Sequence, residues 1–345
     1  KNKNLILKIS NRGPEKISRE VKHIEKLKNS SDFFKKKIPS IIQYGKIKKG
    51  INKHKGFYTM PFIKGPTLSD LFQKNILSKT KRIKFFNYLS NSLIQEVRTA
   101  KLSKRKKSFN LYKNLFNNEY EKIADKPLFQ DLLNRKFILI NNKTHLNISF
   151  CLKKIFKSKK VKSMIKKYKY NCSLNHWNFH GGNIIFPQNK INDFKIIDPD
   201  SSWKINDPFF SLARLIYTYP HDTMEYDKYY LISRDFDKKN KKKPISFSIK
   251  QIWDKKIKKN YKMIFDNFFT KFDKKNLYFQ RLSELEFLRF NLSLILCFLR
   301  GINANHQPKI NFLTNNSHRF QNKGLYIYLF FLTYLNRFTE TIIND

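Results

Sequence analysis

Residues 4–10, NLILKIS, are apolar except for one lysine and two polar ends, and Arg12-Gly13-Pro14 follow at once. That pattern predicts a short buried strand closed by a turn. Ile17, Val21, Ile24 and Leu27 then recur at spacings of four and three. This predicts a helix over about 14–29 with one apolar stripe, from which Glu20 and Glu25 lie aside. Apolar stretches at 41–47 and 57–60, separated by Lys and Gly, predict two more strands. Pro61-Phe62-Ile63-Lys64-Gly65-Pro66 cannot continue a sheet, because two prolines remove ladder donors and bend the chain. The boundary between a strand-helix-strand-strand lobe, residues 1–62, and the remainder, 63–345, is therefore set there.

Thr67 is a good N-cap for a helix reaching about 75, and 79–100 reads as a longer one. Residues 102–170 read as mostly helical and lysine-rich, without a repeat. Two short apolar runs, 183–186 and 194–197, are joined by the polar PQNKIND and predict a hairpin. Beyond Asp207 the pattern is predominantly helical, with periodic segments near 208–218, 252–271, 280–301 and 322–340. The most apolar stretches, 292–299 and 325–335, are shorter than the roughly 20 residues that a bilayer span requires and are expected to be core helices. The expected class is α+β.

Composition adds a constraint and removes several functions. A chain of 345 residues, 40% hydrophobic and 15% aromatic, can bury a large core. Its net charge of +45 would ordinarily point to nucleic acid. Here the lysines are spread through every segment among Asn, Ile and Phe. The densest runs, 104–107, 157–160 and 238–243, lack an aromatic-interleaved or Gly-rich RNA-binding pattern and read as solvated loops. Three cysteines, Cys151, Cys172 and Cys297, have neither the even count nor the spacing of a disulfide framework or zinc site. With no signal-peptide pattern visible at the first residues, a reducing cytoplasm is the expectation.

The stretch that carries chemistry is HWNFHGGNIIF at 176–186, with IIDPD following at 196–200. Phosphoryl transfer needs a metal held by an Asp and an Asn, and a third polar group at the acceptor hydroxyl. Those residue types occur here in that order. HWNFHGGNIIF resembles the H-G-D-x-H-x-G-N-I-L-x catalytic loop of the aminoglycoside phosphotransferase and choline kinase superfamily, through His176, His180, Gly182, Asn183 and Ile184. IIDPD resembles that family's metal segment, with Asp198 as the magnesium carboxylate. NDPFFSLARL at 206–215 resembles its G-D-P-x-x-D-L-A-x-L, keeping Asp207, Pro208, Leu212 and Ala213, with Ser211 where an Asp is usual.

The resemblance implies a protein-kinase-like two-lobe fold, with a small mixed-sheet N-terminal lobe and a mainly helical C-terminal lobe. It further implies ATP and Mg2+ as cofactors and a small-molecule hydroxyl as acceptor, such as a sugar, an amino alcohol or a saccharide precursor. Lys8 in LILKIS resembles the strand lysine that grips the nucleotide phosphates, and Glu20 the helix glutamate paired with it. FYTMPFIKGPTLSDLF at 57–72 resembles the hinge whose backbone binds adenine, here Met60 and Phe62, with Pro61 in place of the usual Glu. Asn183 and Asp198 would hold the metal. His176 and His180 would be architectural, and Asp207 would brace the catalytic loop.

Asn178 stands at the catalytic Asp position, and an amide can neither accept a proton as a base nor carry charge. Three readings follow. Asn178 orients the acceptor in a phosphotransferase; or the chain is a pseudokinase that binds nucleotide or a partner; or, from the charge alone, it is a basic nucleic-acid-binding protein. Asp200 or Asp222 is an alternative source of the carboxylate, against the commoner role of such an Asp in bonding its own turn.

Overall fold

Nonlocal strand pairing and helix burial divide the chain into two compact units, Lys1–Lys104 with Lys169–Met224, and Arg105–Tyr168 with Glu225–Asp345. The computed structural model describes residues 4–74, 77–99, 108–167, 175–187, 191–200, 207, 209–223, 230–235, 245–251, 282–305, 319–320 and 322–344. The molecule is α+β. These units cut the chain differently from a boundary at residue 62, because segments 63–104 and 169–224 cluster with the strands that precede them.

The first unit begins with β1 (Leu5–Ser10), α1 (Pro14–Ser30), α2 (Asp32–Lys37), β2 (Gln43–Lys46) and β3 (Gly56–Pro61). Pro14 opens α1 at a position where its missing N–H costs nothing. The short α2, absent from the periodicity reading, starts at Ser31, whose hydroxyl caps the Phe34 N–H. The sheet has the order β1-β3-β2. Both of its pairs are antiparallel, so the mixed sheet expected in this part of the chain is not mixed. Ile17 and Val21 of α1 pack on Tyr58 and Met60 of β3, with Ile6, Ile41 and Ile197 alongside. Glu20 and His23 are buried on the same helix, and Glu20, three residues after Ile17 and four before Ile24, falls within the apolar stripe rather than aside from it.

The rest of this unit is α3 (Leu68–Gln73), α4 (Lys79–Thr99), a 3-10 turn (Gly181–Asn183), the hairpin β6 (Ile184–Ile185) and β7 (Lys195–Ile196), and α9 (Phe209–Thr223). Two glycines allow close approaches that fix the hairpin. A Cβ on Gly65 would lie 2.1 Å from the Phe186 carbonyl oxygen, and one on Gly181 would lie 2.6 Å from Ser69 Oγ. Phe186 N–H accordingly reaches the Pro66 carbonyl at 2.9 Å. Phe85, Phe186 and Phe194 meet edge to face or tilted at 5.2–6.0 Å, a favoured aromatic geometry.

The second unit holds α5 (Ser108–Ala124), α6 (Pro127–Leu133), β4 (Phe137–Ile140), β5 (Lys143–Leu146), α7 (Ile148–Lys157), α8 (Lys159–Lys167), β8 (Tyr230–Asp235), β9 (Ile245–Gln251), α10 (Glu284–Ala304), β10 (Arg319–Phe320) and α11 (Lys323–Asn344). Its sheet, ordered β10-β8-β9-β4-β5, is the mixed one, since β4 and β9 pair in parallel. Among the described residues, 102–170 are mostly helical, as expected, with the β4–β5 hairpin as the exception, and the predominantly helical region after 207 also contains β8, β9 and β10.

Helices α10 and α11 are apolar nearly all round and buried accordingly, the pattern expected of a core helix. A capping box between Ser283 and Glu286 starts α10. Asn147 ties the interior together: its amide donates to the Leu132 and Arg135 carbonyls, and its oxygen accepts from Tyr328 at 2.6 Å. Among the described residues no helix is long and apolar enough to cross a membrane. Cys151 and Cys297 are buried and free. Cys172, the lysine runs 104–107 and 238–243, and the periodic segment 252–271 lie outside the described residues.

Candidate functional site

Three sequence-distant residues converge in the first unit. Lys8 projects from the face of β1 that also carries Ile6, and its partner across the ladder is Tyr58. Its ammonium contacts Glu20 Oε2 at 2.8 Å and also binds Asp198 Oδ1. Glu20 is only 2% exposed and takes a second cation, Lys16, at 3.3 Å, one helical turn before it. Burial opposes the charge on Lys8, but Tyr58, Asp198 and Glu20 outweigh it and hold its pKa above the ordinary lysine value. Burial also pushes the Tyr58 phenol up to about 12, against the pull of Lys8. Tyr58 is therefore neutral and serves as a wall under the lysine, 5.4 Å from ring centre to ammonium.

Asp198 follows β7 with φ 57°, a left-handed conformation that Asp tolerates better than most residues. Its carboxylate is held on both sides. Lys8 takes Oδ1, while the Asn178 amide donates to Oδ2 and to the Asp198 carbonyl, each at 3.2 Å. Asn183 donates its own amide to the Asn178 carbonyl at 3.0 Å. With its amide so used, the Asn183 side-chain oxygen Oδ1 is left without a donor among the described residues. The loop and the metal segment are also stitched by backbone: Ile197 N–H to the Asn183 carbonyl at 3.0 Å, and Asp200 N–H to the His176 carbonyl at 3.3 Å.

The supporting residues divide the expected roles differently. His176 is fully buried, and burial holds its pKa well below the ordinary value, with His23 and His180 adding to that effect. Its backbone N–H donates to Ser211 Oγ at 3.0 Å, so the hydroxyl at the position where the family carries Asp braces the loop. Asp207, expected in that role, is 1% exposed and accepts from the Phe209 N–H at 2.9 Å, capping the start of α9. His180 Nδ1 accepts from Gly182 N–H at 3.2 Å and closes the 3-10 turn beneath Asn183.

The two hinge residues contribute differently from one another. The Met60 side chain is buried in the core, and the Phe62 N–H is donated to the Asn4 carbonyl at 2.9 Å, which takes that donor away from an adenine. The side chain of Asp222, in α9, lies outside the described side chains.

Sequence reasoning missed the contact between α1 and the loop. His23 Nε2 donates to the Asn175 carbonyl at 2.8 Å, and its ring stacks on Trp177 with centroids 4.5 Å apart and planes within 4°. Trp177 has φ 54°, a costly backbone for a bulky residue, and the stack is what holds it. The available signal was position: His23 is three residues past Glu20, on the same helical face.

No protein-family model matches the chain, and no curated protein matches it. The site must be judged on its own chemistry. A carboxylate and an amide oxygen are hard donors of the kind Mg2+ accepts, and Mg2+ keeps most of its shell for water and phosphate. Among the described residues no three His, Cys, Asp or Glu gather as a metal site. A cation here would rest on Asp198 and the Asn183 oxygen.

The buried histidine between α1 and the loop makes the site acid-sensitive. Burial lowers the His23 pKa to about 4, so it is neutral when folded at pH 7. Unfolding frees it to protonate near 6.5. The contribution of His23 to stability should thus be constant above about pH 6.5 and fall as pH drops toward 4, by on the order of 3 kcal/mol. Thermal melts between pH 7.5 and 4 should show a steeper decline in the wild type than in His23→Gln. Equal slopes would mean that His23 is solvated.

Proposed function

We propose that this chain has a protein-kinase-like two-lobe fold and transfers a phosphoryl group from ATP to the hydroxyl of a small molecule. The observation carrying this reading is the convergence of Lys8, Glu20 and Asp198, from a strand, a helix and a post-hairpin turn, in the order the resemblance requires. A lysine fixed by a buried carboxylate is a preorganised phosphate grip, because its position is settled before the ligand arrives. Magnesium, when bound, would neutralise charge on the transferring phosphoryl group.

In this reading Lys8 leaves Asp198 for the phosphates and keeps Glu20, which frees the Asp198 Oδ1 atom. Asn178 keeps Asp198 oriented and offers the acceptor hydroxyl a hydrogen-bond partner without removing its proton. Loss of a general base typically costs about 10² to 10⁴-fold in rate, so slow turnover is expected.

A second reading is favoured by one observation, the donation of the Asn178 amide to Asp198. A residue spent on holding the metal carboxylate suits a nucleotide-binding relative that does not turn over. Calorimetric titration of ATP with and without Mg2+, into wild type and Asp198→Ala, tests the cleft, and a phosphate-release assay separates the two readings. Mg2+-dependent binding that is lost in the variant is the expected result. Absence of any binding to wild type would sink both.

A further inference from the structure

We propose a second ligand site, in the second unit and independent of the reading above, that takes a small molecule combining a phosphate-like anion with a flat apolar body. The site is a cleft of about 520 Å³ between the β4–β5 hairpin, α7 and the C-terminal half of α11. That volume is in the range of small-molecule pockets. Lys136, Lys153, Lys154 and Lys157 line it, against a single carboxylate, Glu340. None of the four lysines forms an ion pair with a carboxylate among the described residues.

Charge alone does not define the site. With 71 basic and 26 acidic residues, unpaired lysines are the rule in this chain. Lys154 and Lys157 also sit in the last turn of α7, where a cation suits the helix dipole. That account leaves Lys136 and Lys153, and it leaves the rings. Phe137 and Phe150, 42% and 37% exposed, both line the same cleft. The Lys136 ammonium sits over the Phe137 ring, 5.1 Å from its centre, so that cation is held in place at the cleft wall while the Phe150 ring supplies a second aromatic surface.

The cleft is also rigid where it must be. Asn336 of α11 accepts from the Leu146 N–H at 2.7 Å and donates to the Leu146 carbonyl at 2.8 Å, pinning the hairpin to the helix. A site whose walls are bonded in advance loses little ordering entropy on binding. Ammoniums for a dianion and ring faces for a planar body identify the ligand class as aryl or nucleoside phosphates.

The test is calorimetry of the full chain with 1-naphthyl phosphate, with inorganic phosphate and 1-naphthol as controls. One equivalent should bind, more tightly than either control and more weakly as salt rises. Lys136→Gln and Lys153→Gln should each weaken it about tenfold, the usual value of a hydrogen bond to a charged group. Phe150→Ala should weaken it without changing the salt dependence, and Asp198→Ala should leave it unchanged. All these positions in the cleft are surface ones, and circular dichroism melts will verify folding. Many weak equivalents, naphthyl phosphate binding no better than inorganic phosphate, affinities untouched by the lysine variants, or binding confined to a polynucleotide such as oligo(dT) would each overturn the proposal.

Discussion

Lys8→Met should destabilise the protein by about 3 kcal/mol, without any ligand present, because it strips the buried Glu20 of its nearest cation. Removing one partner of a buried pair usually costs about 3–5 kcal/mol. The lower end applies here, since Lys8 retains 28% exposure and Lys16 remains 3.3 Å from the other Glu20 oxygen. Glu20→Gln should cost less, about 1 kcal/mol, because a neutral amide tolerates burial better than an orphaned carboxylate. The double variant should be more stable than the sum of the two single losses implies, and the cycle reads out their coupling directly. Denaturant midpoints at pH 7 measure all four proteins. If Lys8→Met unfolds at the wild-type midpoint, the Lys8–Glu20 pair does not form in solution, and the preorganised grip on which the phosphotransferase reading depends goes with it.

The parts of the chain that were legible in advance are those where local pattern and tertiary demand coincide. NLILKIS closed by Gly-Pro could be read as a strand, and the stripe from Ile17 to Leu27 as a helix, because burial on one side is what the sheet of Tyr58 and Met60 requires. The polar members of the same helix were opaque. Glu20 and His23 look like solvent-facing residues until Lys8 and Trp177 arrive from elsewhere in the chain to partner them.

The β4–β5 hairpin was missed for a different reason, a surrounding region, 102–170, that reads as mostly helical and lysine-rich. Its signal was present in Asn141-Asn142, which take φ 49° and 63° as the central pair of a two-residue hairpin turn. Likewise Ile245, Phe247 and Ile249 alternate as a strand should, yet β9 finds its parallel partner β4 about a hundred residues earlier, and no local rule announces such a pairing. Ser211 shows the limit of motif reading. It counted as a departure from the motif that NDPFFSLARL resembles, yet its hydroxyl accepts the His176 backbone N–H and so holds the loop.

Asn178→Asp is the substitution that separates an enzyme from a binding protein, and its effect should change sign with magnesium. In the metal-free protein the new carboxylate cannot donate to Asp198, so two hydrogen bonds at 3.2 Å are replaced by like charges facing one another. A loss of about 1 kcal/mol is expected, the usual value of a hydrogen bond, because Asp198 is 39% exposed and keeps Lys8 as its counter-charge. A divalent cation between two carboxylates removes that repulsion, so Mg2+ should restore stability to the variant while doing little for the unliganded wild type. With Mg2+ and ATP present, the restored base should raise turnover by about 10² to 10⁴-fold over wild type. Melting curves with and without Mg2+, paired with phosphate release against a panel of hydroxyl acceptors, measure both halves. Rescue by Mg2+ without turnover would assign the cleft to nucleotide binding alone, because the metal pair would then exist with nothing for it to activate. If Mg2+ neither rescues the variant nor supports turnover, Asp198 is no metal ligand, and the Lys8–Glu20–Asp198 cluster is a structural brace between α1 and the loop.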